Sequence, residues 1–195
     1  MTAPIYRTLL AFALVAAALG LTADAYAQSE TVLHIFSGAP DGMYPTGGLI
    51  GDSKGHYYGT TSEGGDARCN FSGCGTVYEL SRVQGSWVVD ILYEFPGGSG
   101  GAQPEGNLTM DAAGNLYGVT DVGGLGEGLV YELIHNADGT WSPDILYTFM
   151  GAGDGANPIV GVVFDKAGNL YGTTQYGGDL SCGFSGCGTV FEISP

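Results

Sequence analysis

Basic residues are scarce in this chain. Lys and Arg together number 5 among 195 residues, against 20 Asp and Glu, so the formal net charge is −15. A nucleic-acid-binding protein needs a basic patch that neutralises phosphates, and docking on an anionic membrane surface needs positive charge as well. The composition therefore argues against both kinds of partner.

Long stretches without glycine are also missing. Glycine accounts for 36 residues, and after residue 27 no glycine-free window exceeds 11 residues. An average α-helix has about 11–12 residues, so little room is left for helices. The chain is nevertheless 44% hydrophobic and 11% aromatic, whereas disordered chains are poor in both kinds of residue. These features together predict a folded β protein punctuated by glycine.

The longest apolar run lies at the N terminus. Residues 9–21 are apolar or small; they follow Arg7 and precede Ala25-Tyr26-Ala27, which has the small-x-small form that signal peptidase cuts. The run is about 13 residues long, whereas a membrane span needs about 20. We predict a signal peptide at 1–27, one secreted domain at 28–195 (extracellular or periplasmic), and no integral membrane segment after cleavage.

One sequence unit recurs three times. GHYYGTTSEGG at 55–65 returns as GNLYGVTDVGG at 114–124 and as GNLYGTTQYGG at 168–178. Each copy lies between a short run that ends in Asp and a run such as GTVYELS, and a further run, ILYEF or ILYTF, follows. In residues 87–95, which include ILYEF, every odd position is apolar, and Asp90 and Glu94 fall on the opposite face. Alternation with a period of two is typical of half-buried strands. Each unit is therefore predicted to be a four-stranded antiparallel meander.

The first two strands of each unit are joined by the motif D-x-x-G. Asp suits the first position of a type I turn, and Gly supplies the positive φ with which a bulged hairpin turn ends. We predict structural turn roles for Asp52, Gly55, Asp111, Gly114, Asp165 and Gly168.

The units repeat at spacings of 59 and 54 residues, counted between Tyr58, Tyr117 and Tyr171. Four-stranded units of this length favour β-propeller-type blades over a solenoid, whose coils have about 20–30 residues. We predict an all-β fold with full blades at 47–95 and 106–149 and an incomplete blade at 160–194. Residues 32–36 are predicted to be an outer strand with no blade before it. Because propellers have at least about four blades, the chain is expected to form a partial propeller or half of a six-bladed ring. In the ring, a homodimer exchanges the strand at 32–36.

The string D-x-x-G-N-L-Y-G-T-T-x-x-G-G followed by G-T-V-[YF]-E, which residues 165–178 and 188–192 carry, resembles the GloVer tandem repeat family of exported bacterial proteins. The run at 149–158 is similar to the linker between blades of that family. The resemblance covers residues 32 to 195. It implies an exported repeat protein with propeller architecture and no established activity.

The four cysteines lie in two loops of identical pattern, C-x-F-S-G-C. Each loop is a six-residue insertion relative to the middle unit, so the cysteines are present or absent in pairs. Export to an oxidising compartment turns such pairs into disulfides, and we predict Cys69 bonded to Cys74 and Cys182 bonded to Cys187. A zinc site with four thiolates is the alternative, although metal-binding pairs usually have the shorter C-x₂₋₄-C spacing.

The sequence offers few candidates for catalysis or for metal binding. Glu79, Glu132 and Glu192 recur in every unit, which favours a structural role because an active site is normally unique. Asp41 and Asp154 in the linkers are carboxylates that calcium could use, although turn chemistry accounts for them. Three loop aromatics could stack on sugars: Phe71, Tyr176 and Phe184.

We therefore predict a non-catalytic binding or structural module, secreted or on the cell surface, with no catalytic residues, no metal and no cofactor. Its expected partner is a glycan or a surface protein. The alternative is an extracellular propeller enzyme that acts on polysaccharide, which would need unique polar residues gathered in one funnel.

Overall fold

A computed structural model describes residues 29–66, 69 and 72–195. The predicted signal peptide at 1–27 lies outside these residues. The chain divides into the units Met1–Val32 and Leu33–Pro195, and the second unit holds all the described strands. Within the described residues the chain forms eleven strands, three short 3-10 turns and no α-helix. The all-β prediction is confirmed.

The strands form three antiparallel sheets of four, four and three strands, each in simple meander order. The first sheet contains β1 (Met43–Gly51), β2 (Tyr57–Glu63), β3 (Thr76–Val83) and β4 (Ser86–Glu94). The second contains β5 (Ala102–Met110), β6 (Leu116–Val122), β7 (Leu129–His135) and β8 (Trp141–Thr148). The third contains β9 (Val162–Phe164), β10 (Leu170–Thr174) and β11 (Thr189–Ile193). The 3-10 turns span Gly98–Gly100, Ala152–Asp154 and Leu180–Cys182.

Two differences from the expected boundaries concern the linkers. β1 and β5 begin earlier than expected, because Pro45 and Pro104 in the linkers already lie opposite Thr61 and Thr120 of the neighbouring strands. Within the described chain, residues 33–36 belong to no sheet. The outer-strand assignment of this segment stays a prediction that requires a partner strand.

The second strand of each sheet carries a glycine beneath an aromatic ring of the third strand. Gly59 lies opposite Tyr78, and a Cβ atom at Gly59 would stand only 2.6 Å from the Tyr78 hydroxyl oxygen. Because glycine has no side chain, the tyrosine ring can occupy the space above it. The same pairing recurs in the other sheets, as Gly118 with Tyr131 and Gly172 with Phe191.

The sheets pack one on the next in chain order. The core between the first two sheets includes Val77, Phe95 and Tyr131, and the core between the last two includes Val130 and Phe149. All five side chains are at most 2% exposed. Val77 and Val130 occupy the same position of the repeat, in the string GTV or GLV, so the two interfaces are built alike.

The first strands of the three sheets lie side by side. A Cβ atom at Gly47 would overlap the carbonyl of Gly106, the residue at the same position of the next unit. One unit further on, a Cβ atom at Gly106 would overlap the backbone of Val160, and the Asn107 amide donates a hydrogen bond of 3.1 Å to the Val160 carbonyl. Glycine thus permits backbone-to-backbone contact between neighbouring units.

The linkers before the second and third sheets also dock on a loop of the preceding unit. The amide of Gln103 donates to the carbonyl of Cys74 at 2.8 Å, and the amide of Asn157 donates to that of Glu127 at 2.9 Å. The proline that follows each of these residues is buried. Pro45, at the same position of the first linker, is exposed.

Candidate functional site

A loop of the second sheet, the linker after it and loops of the third sheet line an open cleft of about 310 Å³. Its side chains supply one carboxylate, one amide, two hydroxyls, two aromatic rings and one aliphatic group. They belong to Glu127, Asn157, Tyr176, Leu180, Phe184 and Ser185.

The floor of the cleft is fixed by backbone pairing between the linker and the end of β10. Ala156 and Tyr176 exchange two backbone hydrogen bonds of 2.9 and 3.0 Å, and the Gln175 amide donates to the Asn157 carbonyl at 3.0 Å. Asn157 has a left-handed φ of 54°, and its side-chain amide donates to the Asp121 carbonyl and carboxylate, both at 3.0 Å. These contacts hold the Asn157 side chain in one position at the edge of the cleft.

The rim is the second cysteine loop. The Asp179 carboxylate caps its 3-10 turn by accepting a 2.8 Å hydrogen bond from the Ser181 amide, and this bond lowers the pKa of Asp179. Phe184 stands at the tip with its side chain fully exposed, while Tyr176 below it is 39% exposed. Phe184 from the loop and Tyr176 from the segment after β10 therefore present two aromatic rings to solvent beside the polar side chains of the cleft. Phe71, at the corresponding position of the first loop, lies outside the described residues.

The cysteines lie within their own loops. The Cα atoms of Cys69 and Cys74 are 5.8 Å apart, as are those of Cys182 and Cys187, and both pairs stand at disulfide distance. The four sulfur atoms are thus divided between two loops. In the part of the chain that the structure describes, no group of three or more His, Cys, Asp and Glu side chains is placed to hold a metal ion.

The three D-x-x-G turns share the same hydrogen bonds between backbone amides and the Asp carboxylate. In each one, the Asp Oδ1 atom accepts from the amides two and four residues ahead, at 2.8 and 2.9 Å. Gly55, Gly114 and Gly168 have φ values of 87°, 93° and 92°. Burial opposes ionisation of Asp52, but the hydrogen bonds from the amides of His56 and Lys54 outweigh it and lower the pKa of its carboxyl group.

A tyrosine hydroxyl lies between two carboxylates behind each turn. The Tyr117 hydroxyl is 2.8 Å from Glu132 Oε1 and 3.2 Å from Asp111 Oδ2. Burial, followed by the two carboxylates, raises the pKa of Tyr117, so this phenol stays protonated and donates. Tyr58 has the same surroundings and a raised pKa as well, through burial and then Glu79 and Asp52. The sequence pointed to these Asp and Glu residues separately, and only the fold brings them together around a tyrosine.

The linker aspartates are occupied by local hydrogen bonds. Asp154 accepts 2.8 Å and 2.5 Å hydrogen bonds from the Met150 amide and the Tyr147 hydroxyl, and Asp41 accepts a 3.0 Å hydrogen bond from the Ser37 amide. Calcium would have to compete with these donors.

The middle linker departs from this pattern at two linked positions. Pro96 stands where Ser37 and Met150 donate, and Gly100 stands where the two aspartates accept. The middle linker therefore lacks both the amide donor and the carboxylate acceptor of this hydrogen bond. A small cavity of about 120 Å³ opens there, lined by Tyr93, Gly100 and Tyr131 among others. The Tyr131 hydroxyl is buried and has no hydrogen-bond partner within the described chain.

The comparisons with known proteins give one match. The model of the Gloeobacter/Verrucomicrobia repeat family matches residues 21–195. Neither a curated protein nor a solved structure matches this chain. Among the described residues there is no helix with the length and apolar character to cross a bilayer.

Proposed function

Because this chain belongs to the Gloeobacter/Verrucomicrobia repeat family, we propose that it is a non-catalytic binding module built from propeller-type blades, secreted or held at the cell surface. Three sheets of the same meander order, packed one on the next, support the blade interpretation. The signal-peptide pattern at 1–27 and the two cysteine pairs at disulfide distance support export.

The ligand we propose is a neutral glycan, bound in the cleft beside the second cysteine loop. The observation that carries this proposal is the pair of exposed rings, Phe184 and Tyr176, above a polar floor. The C–H face of a sugar ring stacks on an aromatic ring, and a few convergent polar groups orient a ligand. Glu127, Asn157 and Ser185 supply those groups. The net charge of −15 favours neutral glycans over acidic ones.

Binding fits the cleft better than hydrolysis does. Glycoside hydrolysis generally uses two carboxyl groups that flank the scissile bond, and Glu127 is the one carboxylate among the residues that line the cleft. Carboxylates such as Asp111 and Glu132, which recur in all three units, accept hydrogen bonds from turn amides and tyrosine hydroxyls. This is the distribution expected of structural groups.

The test is an array of neutral and acidic glycans, followed by affinity measurements on the ligands that bind. We expect binding to neutral glycans and about a two- to tenfold weaker affinity for Phe184→Ala, since one aromatic stacking contact contributes about 0.5–1.5 kcal/mol. Val83→Ala is the matched control, because Val83 is also exposed (49%) but lies outside the cleft. An array without neutral ligands, or equal affinity for Phe184→Ala and the parent protein, would refute the site. Release of new reducing ends would favour the enzyme.

A further inference from the structure

The second sheet packs over the first and the third packs over the second, but no described sheet packs over the third. Val77 and Val130 are fully buried, because the following sheet packs over each of them. Val190 occupies the same position of the third unit, in the same string GTV as Val77, and it is 80% exposed. The third sheet therefore presents to solvent the face that joins neighbouring units elsewhere in the molecule.

The third sheet also has an open edge. β3 and β7 each pair with an outer strand, β4 and β8, whereas β11 is the last strand of its sheet. An edge strand offers unpaired backbone amides and carbonyls to another strand.

Residues 33–36 already stand where an outer strand would end. The ring of Phe36 meets Tyr78 edge-on at 5.0 Å, as Phe95 meets Tyr131 and Phe149 meets Phe191, both at 5.1 Å. Phe95 and Phe149 directly follow β4 and β8, and Phe36 fills the same place, although no strand precedes it among the described residues. Ile35 beside it is 78% exposed.

We propose that a second copy of this chain covers the third sheet, with its residues 33–36 paired to β11 and its first sheet packed over Val190. The register follows from the internal pairs Thr76 with Glu94 and Leu129 with Thr148, whose counterparts are Thr189 and Ile35. Two copies that do this to each other form a closed ring of six four-stranded sheets, in which β11 is no longer an edge strand. This inference rests on the contacts between units and is independent of the glycan site.

The remaining contacts follow the internal interfaces with one departure. Tyr44 of the second copy would donate its amide to the Cys187 carbonyl, as Gln103 does to Cys74, and the exposed Pro45 would become buried. The departure is Val160, which stands where the first two units have Gly47 and Gly106. Since a Cβ atom fills this point, the first strand of the second copy stands further off than β5 does from β1.

Sedimentation velocity over a range of concentrations tests the proposal. The exported protein should sediment as a dimer, and Val190→Asp and Ile35→Asp should each weaken association at least tenfold. Both residues are exposed in the single chain, so the fold of the monomer should survive, which circular dichroism checks. Val83→Asp, a substitution at an exposed valine outside the interface, should dimerise like the parent protein. A parent protein that stays monomeric, a series of larger species, or equal dissociation by Val83→Asp would overturn the ring.

Crosslinking tests the register without relying on destabilising variants. Directly opposed residues of an antiparallel pair have Cα atoms about 4.5–5.5 Å apart, within the range that a disulfide spans. The double variant Ile35→Cys with Thr189→Cys should therefore form an intermolecular disulfide. The control, Ile35→Cys with Val163→Cys, places its second cysteine on β9, two strands away. Absence of the first crosslink, or equal yield in both variants, would overturn the proposed pairing.

Discussion

The two cysteine loops share the pattern C-x-F-S-G-C but lie in different surroundings. In the first loop, Cys74 is 3% exposed, and a Cβ atom at Gly97 of the following linker would stand only 2.6 Å from the Cys69 sulfur. In the second loop, Cys182 and Cys187 are both exposed. The loops differ because the following linker and sheet pack against the first loop, whereas no described residues pack over the second in this way. Local sequence therefore sets the shape of such a loop, and its neighbour sets how deeply it is buried.

The same contrast predicts that aspartate substitutions at two equivalent valines lower the unfolding free energy by very different amounts. Val130→Asp places an unpaired charge in the core between the second and third sheets, which should cost about 3–5 kcal/mol of unfolding free energy. Val190→Asp lies on the uncovered face and should cost less than about 0.5 kcal/mol in dilute solution, where the single chain predominates. Urea unfolding followed by tryptophan fluorescence measures both. Similar losses for the two variants would contradict the difference in burial.

Removal of each cysteine pair compares the loops directly. Both rings close the same number of residues, so the loop-entropy model gives each disulfide about 2 kcal/mol. Replacing Cys69 and Cys74 by Ser should lower the unfolding free energy by about 1 kcal/mol more than replacing Cys182 and Cys187, because Cys74 is packed in the core. Guanidinium unfolding gives the two values. A serine at position 74 would also bury a hydroxyl, so the corresponding Ala variants serve as the control. In them the first pair should still show the larger loss of unfolding free energy.

The smallest expected difference in stability concerns two equivalent tyrosines. Tyr117→Phe removes a hydroxyl that donates to Glu132 at 2.8 Å on the covered face of the second sheet, and it should cost about 1 kcal/mol. Tyr171→Phe removes a hydroxyl that lies 3.5 Å from Asp165 and beside Glu192 in exposed surroundings, and it should cost a few tenths of a kcal/mol at most. Thermal unfolding at neutral pH measures the pair. A larger loss for Tyr171→Phe would show that the uncovered face is less exposed in solution than in the single chain.

The sequence predicted the three repeated meanders because alternation, Asp and Gly act over a few residues. It placed the first strands too late, since the pairing of Pro45 and Pro104 with β2 and β6 depends on how the linkers turn into the sheets. It also suggested the two aromatic rings of the cleft, Tyr176 and Phe184, but not Glu127 or Asn157. Asn157 meets the rings because the linker lies across the end of β10, and Glu127 joins them because its loop accepts a hydrogen bond from the Asn157 amide. No local pattern encodes either contact.

The sequence by itself determined the strands, the D-x-x-G turns and the equivalence of the three units, because each depends on residues that are close together in the chain. The tertiary structure decided which copies of an equivalent residue are buried. Val77, Val130 and Val190 occupy the same position of the repeat, yet the first two are enclosed and the third is open. The reason is physical: an apolar side chain is buried only when another unit packs over it, and each unit of this chain depends on the next one for its cover.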